Sequence, residues 1–458
     1  MSDRKKGVIR IGGRAYEFGP LGIPALVLII VLILGMIGML VFRLVSDRNQ
    51  DEVKPASGDS LQVVVQTIEP TPTPTPVVTA KPTPTPAPTP TPAPTLRTAT
   101  IRSLGEIVAD NDVLKSAYVR QQDAEGKDVS TFDFSSMFEP LKASIGAADY
   151  TVAEVDGTMG GKGVNGYRGR DGQYNTPPHI MLALRESGVD LLALANDHAL
   201  DELYDGLTKT LANCGQAEMD YMGAAATQAE HETPKIVEIN GIHVGFLNYA
   251  ESFNGMDKNA AREALLFGVN VARNADPAAD AAKAREAGAD ILVAYVSWGA
   301  QDSAKLTNNQ KAMAKALIAA GVDVILGYNP RVIVPQPTYW LETEKEDGTK
   351  QRTLIVSSLG AILSANLDQN HDHGMIFEFT INEVETGVFE IINPTYIPTY
   401  VWRTDRGDGT NDYKVLAVGE WLTTPPEGMP EADYERMKTI WSEMQAPLGT
   451  TELSVAAQ

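Results

Sequence analysis

The sequence is short of cysteine and of positive charge, one stretch lacks charge altogether, and another lacks amide hydrogens. Each shortage closes off a class of behaviour. Cys214 is the only cysteine, so no intrachain disulfide can form and stability must come from a sizeable core. That lone thiol reads as a small buried apolar side chain. Lysine and arginine total 38 against 59 aspartates and glutamates, a formal net charge of −21. So acidic a chain excludes nucleic acid as a partner, because binding a polyanion needs a basic face. It also predicts repulsion of acidic polymers wherever no local basic site intervenes.

No charged residue occurs from Phe18 to Phe42. At about 1.5 Å per residue this run is long enough to cross roughly 30 Å of hydrocarbon, and it is too long for the core of a cleavable signal peptide. Residues 18–45 are therefore expected to form one transmembrane helix. Arg4, Lys5, Lys6, Arg10 and Arg14 precede it, whereas Arg43 and Arg48 are offset by Asp47, Asp51 and Glu52. This bias predicts a cytoplasmic N-terminus, residues 1–17, and a main domain outside the cell membrane. In residues 70–95 prolines recur so often that neither a helix nor a central strand can form. The Pro/Thr-rich linker, residues 46–97, is expected to contain an extended polyproline II spacer reaching about 80 Å at ~3.1 Å per residue, with room for O-glycans on its threonines.

Beyond the spacer, strand-like runs alternate with helical patterns, which predicts an α/β domain. Three passages share one grammar: ESGVDLLALANDH, EAGADILVAYVSWG and AAGVDVILGYNPR. Each has a helix ending at a glycine (Gly188, Gly288, Gly321), an aspartate two residues on, an apolar strand, and a polar cluster. Ligands of open α/β sheets bind beyond the carboxyl ends of strands. The clusters Asn196, Asp197 and His198, then Ser297 and Trp298, then Tyr328, Asn329 and Arg331 occupy that position. ADYTVAEVDG delivers Glu154 and Asp156 in the same way, and TATIRSLGE delivers Glu106. Five strand ends are expected to converge on one rim.

Four motifs in this order, LALANDHALDELYDGL, YVSWG, GYNPRV and SSLGAI, resemble those of the capsule-synthesis CapA (PgsA) family of poly-γ-glutamate biosynthesis proteins, whose domain is similar to calcineurin-like metallophosphatases. The resemblance covers residues 98 to about 400. It implies a metallophosphatase-like four-layer α/β/β/α sandwich over residues 98–402, followed by a C-terminal extension, 403–458, with an amphipathic helix and a short tail. It also implies a role in assembly, retention or export of an anionic cell-envelope polymer, beside polymer synthase and transport subunits. The ligand motifs of the family are altered here. Its early aspartate is Glu106, its asparagine-leucine-glutamate becomes Glu154, Val155 and Asp156, and its second central asparagine is Asp197. His198 is kept, but Ser297, Asn329 and Arg331 stand where histidines are expected.

A dinuclear site needs imidazole and carboxylate ligands to hold two metals. Serine and asparagine substitute poorly for them, and an arginine repels metal. The remaining oxygen-rich set, Glu106, Asp156 and Asp197 with His198, suits one Mg, Mn or Ca ion. Alternatively, no metal binds, and Arg331 supplies the positive charge or grips an anionic ligand through its planar fork. The first expectation makes the protein a hydrolase or transferase with Asp197 and His198 as its catalytic pair. The second makes it a binding module with Asn196, Ser297, Trp298, Asn329 and Arg331 on its rim.

Other features carry weaker expectations. His371 and His373 read as solvated loop residues, and His179 as the first turn of a helix started by prolines. The glycine-rich stretch 157–178 reads as a mobile flap whose Lys162, Arg168 and Arg170 draw in an anion. Met429, Tyr434, Met437, Ile440, Trp441 and Met444 predict a docked amphipathic helix, and the tail after Pro447 is expected to fray.

Overall fold

The computed structural model describes residues 7–11, 14–18, 96–445 and 454–455, apart from internal stretches at 123–125, 164–165, 171, 304, 334–337, 345–347, 349 and 369. The expected transmembrane helix and spacer lie, up to residue 95, outside the described residues. Among the described residues no helix is long and apolar enough to cross a membrane. The chain divides into two units, Met1–Thr89 and Pro90–Gln458. In the first, Gly7–Ile11 pairs antiparallel with Arg14–Phe18.

The second unit is built on two sheets. The larger contains β1 (Thr98–Leu104), β2 (Tyr150–Glu154), β3 (Leu191–Ala193), β4 (Asp220–Met222), β11 (His373–Glu385), β12 (Val388–Asp405) and β13 (Asn411–Ala417). Its order is β4-β3-β2-β1-β11-β12-β13. The β1 to β4 half is parallel, and the β11 to β13 half is antiparallel. The smaller contains β5 (Lys235–Ile239), β6 (Ile242–Ala250), β7 (Ile291–Ser297), β8 (Val324–Tyr328), β9 (Thr338–Glu344) and β10 (Lys350–Val356), in the order β5-β6-β7-β8-β10-β9.

Strand β7 explains why the sheets stack. Ile291, Val293 and Tyr295 face the core between the sheets, while Leu292, Ala294 and Val296 face a second core under helices α4 (Pro277–Glu286) and α5 (Asn308–Ala319). A strand with both faces covered must read as an unbroken apolar run. On the far side of the larger sheet, α1 (Asn111–Ala117), α2 (His179–Glu186) and α3 (Leu203–Ala217) cover a third core. The layers are thus α/β/β/α, as expected. Two tyrosines tie the sheets together: Tyr295 Oη lies 2.7 Å from Ser103 Oγ, and Tyr328 Oη donates to Leu104 O at 3.2 Å.

The aspartate of the repeated grammar has a defined task. Asp190, Asp290 and Asp323 each accept a backbone N–H from the neighbouring strand's entry, at Thr151, His243 and Leu292, at 2.8, 2.9 and 2.8 Å. Each also returns its own N–H to the carbonyl of that same residue. Asp149 clasps Thr100 in the same way. Every clasp fixes the register in which one parallel strand starts beside the next.

Three expectations need correction near the C-terminus. The domain boundary placed at 402 falls inside β12, and β13 continues the same sheet, so residues 403–417 belong to the sandwich. The tail does not simply fray, because Ser454–Val455 pairs with Thr395–Tyr396. His371 and His373 are buried, with His371 Nε2 2.7 Å from Asp302 and His373 Nδ1 2.8 Å from Asp372. What covers this region is α6 (Glu431–Gln445), the expected amphipathic helix, whose Met437, Ile440 and Met444 are buried and whose Arg436 grips Asp372 with two hydrogen bonds.

Candidate functional site

All the strand ends singled out in the sequence do meet. Gly105, which follows β1, is there because a Cβ would lie 2.6 Å from Gly360 O. That close approach lets the Glu106 N–H reach Gly360 O at 2.8 Å and turns the Glu106 side chain inward. At the end of β8, Asn329 (φ 87°) and Arg331 (φ 57°) are both left-handed, a conformation that costs a side-chain-bearing residue about 1–2 kcal/mol and gathers at functional sites. The twist aims Arg331 back across the cluster. Its N–H donates to Glu106 Oε1 at 3.0 Å, its Nη2 donates to Asp156 Oδ2 at 2.5 Å, and its Nε lies 3.8 Å from Glu106 Oε2.

The LANDH segment leaves β3 in a tight turn. Asn196 is fully buried and staples that turn: its amide donates to Val155 O at 3.1 Å, and its Oδ1 accepts the His198 N–H at 3.1 Å. It is a scaffold residue rather than the ligand contact expected. Asp197 faces the cluster and accepts from Asn254 Nδ2 at 3.1 Å and Gln301 Nε2 at 3.2 Å. His198 Nδ1 lies 2.8 Å from Asp201 Oδ2, which also accepts the Tyr174 N–H at 2.6 Å. The Tyr174 ring stands edge-on to His198 at 4.6 Å, and the Arg331 guanidinium lies 5.3 Å from its centroid.

Five carboxylates buried around one guanidinium and one imidazole compete strongly for charge. Burial and then Asp156 push Glu106 up to about 8, against Arg331. Burial, with Glu106 and Asp156 behind it, raises Glu154 well above the carboxylate range. Burial and Asp156 push Asp197 up to about 6, against His198 and Arg331. At His198 burial favours the neutral ring, but Asp156, Asp201 and Asp197 together push it up to about 9.

The donor set can be tested for a metal on these atoms. Asp156, Asp197 and His198 each offer a ligand atom, and all three atoms lie within 4.8 Å of one another. Asp156 Oδ1, Asp197 Oδ1, Glu106 Oε2 and both Glu154 oxygens are buried without a hydrogen-bond partner, as are Ser297 Oγ and Asn329 Oδ1. Acceptors stranded in this way are costly to bury unless a cation or proton satisfies them. The set fits one hard divalent ion. A second ion would find only weak or repelling groups beside it, the Ser297 hydroxyl, the Asn329 amide oxygen and the cation Arg331, and no second imidazole. Glu106 was expected among the ligands, but it lies outside the triad and is engaged by Arg331.

Two further expectations change. Trp298 is a core residue, packed under α4 and α5 with its indole N–H spent on Ser357 O at 3.0 Å. The glycine-rich stretch is not a loose flap: Arg168–Arg170 and Gln173–Asn175 form a hairpin, Gly169 N–H donates to Asn111 Oδ1 at 2.9 Å, and Arg168 pairs with Glu202 at 2.9 Å. Sequence reasoning missed Tyr174, Asp201, Asn254 and Gln301. Asp201, one turn beyond His198, was findable from its spacing, whereas the loop residues carry no local signal.

Residues 100–366, more than half of the chain, match the family described as bacterial capsule synthesis protein PGA_cap. The capsule biosynthesis protein CapA of Bacillus anthracis is 27% identical over 33% of this chain and 37% of its own length. The PGA biosynthesis protein CapA of Bacillus subtilis is 23% identical over 61% of this chain and 68% of its own. Among solved structures, the calcineurin-like phosphoesterase YfkN of Bacillus subtilis aligns over 78% of this chain and all of that one, with 13% identity and a TM-score of 0.38. The chain belongs to the bacterial capsule synthesis protein PGA_cap family.

Proposed function

We propose that this protein is a membrane-anchored module for assembling, retaining or exporting an anionic cell-envelope polymer, and that its buried cluster binds at most one divalent ion instead of running two-metal phosphoester chemistry. The names of its relatives, which refer to capsule and PGA biosynthesis, support the polymer. The charge-free run from Phe18 to Phe42 supports the anchor, with residues 1–17 inside the cell and the domain outside. A polymer synthase and transport subunits are the partners this role requires.

One observation carries the reading: the Arg331 guanidinium is bound to Asp156 inside the carboxylate cluster, where a second metal would need a ligand. Asp156, Asp197 and His198 would hold a single Mg, Mn or Ca ion, which would supply positive charge for a polyanion in an otherwise acidic domain. Asn254 and Gln301 fix the Asp197 carboxylate, Asp201 fixes the His198 ring, and Tyr174 covers both His198 and Arg331. Metal analysis of the purified full chain tests this, together with a phosphoester panel and retention on immobilised acidic polymer. One equivalent of ion or none, retention, and no turnover are expected. Two equivalents of metal with phosphoester turnover would overturn the reading.

A second reading, a single-ion hydrolase or transferase, is favoured by the pairing of His198 with Asp201, since a ring oriented by a carboxylate is how an acid–base residue is held. In this reading the ion would rest on Asp156 and Asp197 alone, leaving His198, pushed up to about 9 by Asp156, Asp201 and Asp197 against burial, to serve as the acid. Turnover that disappears in both Asp197→Ala and His198→Ala would establish it.

A further inference from the structure

The short unit ahead of the charge-free run has a feature that the proposed function leaves unused. Gly7–Ile11 and Arg14–Phe18 form a two-stranded antiparallel ribbon, and among the described residues no third strand joins it. The register leaves Gly12 and Gly13 between the strands, the residue type that a two-residue hairpin loop takes. A ribbon of two strands is at best marginally stable in water and becomes firm only when one face is covered.

The register also says which face that is. Ile9 is opposite Tyr16, Ile11 opposite Arg14 and Gly7 opposite Phe18, so these positions share one face, whereas Val8 opposite Glu17 and Arg10 opposite Ala15 share the other. The first face holds two isoleucines and two aromatics, with its one cation, Arg14, beside the loop. Two further observations name what covers it. Phe18, where the ribbon ends, is the first residue of the charge-free run to Phe42, so a span there holds the ribbon at the membrane surface. Pro20 and Pro24 follow, and because proline cannot extend a strand ladder the chain is able to turn between ribbon and span. Residues 1–17 carry five cations, Arg4, Lys5, Lys6, Arg10 and Arg14, against Asp3 and Glu17, the reverse of the balance in the whole chain. The cytoplasmic leaflet is negatively charged, and a basic segment beside a span is drawn to it.

We propose that the ribbon of residues 7–18 docks on the anionic inner leaflet, with the face of Ile9, Ile11, Tyr16 and Phe18 in the headgroup layer and the excess of lysine and arginine among the lipid phosphates. Tyrosine suits that layer because its ring is apolar and its tip is polar. The inference rests on the membrane anchor of the proposed function. A cytoplasmic protein that adds a strand to an open edge of the ribbon is the competing occupant.

The test is hydrogen exchange over residues 7–18 of the purified full chain, reconstituted in nanodiscs of phosphatidylcholine alone and of phosphatidylcholine with roughly a third phosphatidylglycerol. The variants are Ile9→Asn, on the apolar face, and Val8→Asn, on the other. In the anionic nanodiscs the ribbon amides should exchange at least about ten-fold more slowly than in the neutral ones. Much of that protection should go in about 1 M salt, where charges are screened beyond ~3 Å. Ile9→Asn should remove it and Val8→Asn should keep it. Free exchange in both lipids, which a ribbon awaiting a protein partner would show, overturns the proposal, as does equal protection in both lipids or equal loss in both variants. Entry into the nanodisc reports the anchor separately: a chain that enters with its ribbon exchanging freely sinks this proposal alone, whereas a chain that does not enter removes the anchor and the proposal with it.

Discussion

Arg331 is the residue on which the buried cluster turns. It is held charged against burial by Asp156, Tyr174 and Glu106, and in return it neutralises oxygens that have no route to water. Replacing it with methionine removes the only guanidinium in contact with these acids among the described residues. Breaking one side of a buried pair typically costs about 3–5 kcal/mol, so Arg331→Met should lose stability on that scale in urea titration. Added Mn²⁺ should restore part of the loss by serving as a replacement cation. A variant as stable as the parent would mean that the acids are simply protonated. Much of this site was legible in the sequence, because Glu106, Asp156, Asp197, His198 and Arg331 all follow apolar strands, and chain direction alone puts such ends on one rim. Tyr174, Asn254 and Gln301 were not legible: the first arrives on a short hairpin strand and the other two in turns, and the paths of all three depend on tertiary packing. Asn196 and Trp298 were placed on the right rim but given the wrong task, since a sequence does not tell whether an amide or an indole N–H has already been spent on backbone.

Among elements, the aspartate clasps and the C-terminal helix make separate predictions. Asp323 accepts the buried Leu292 N–H and also pairs with Arg285 at 3.0 Å. Leaving that N–H without a partner costs about 1–3 kcal/mol, so Asp323→Ala should lower the urea midpoint by that amount with little change in slope. Helix α6 is latched by the two-pronged contact of Arg436 with Asp372. Burial alone would raise the Asp372 carboxyl, but Arg436 and His373 hold it down to about 2. Its folded value lies below the unfolded one of about 3.9, so its contribution is complete above about pH 4 and is lost as pH falls towards 2. Allowing for partial solvent screening, this amounts to about 1–2 kcal/mol. Thermal melts should therefore show the Arg436→Met variant converging on the parent near pH 2 and separating from it above pH 4. The helix itself was legible from its apolar spacing. The burial of His373 beside it was not, because it depends on Arg436, some sixty residues further along the chain, and His371 is instead held by Asp302 and Asn366.

At the scale of the whole molecule, the acidic domain and the basic, apolar N-terminal region have opposite preferences. If residues 18–45 anchor the protein, the full chain should sediment with membranes and resist extraction at high salt. A chain beginning at residue 96 should remain in the aqueous fraction with its melting temperature unchanged. Equal partitioning of the two would remove the anchor from the proposed function. The cluster is also assembled from positions spread across more than two hundred residues, with its acids first and its arginine last. During translation at roughly 5–20 residues per second, on the order of ten seconds separates Asp197 from Arg331. For that interval the nascent polypeptide holds Glu106, Glu154, Asp156 and Asp197 without the partner that quiets them. Fragments ending before β8 should therefore fail to fold at neutral pH, so the ribosome must finish the counter-charge before the acids can be shut away.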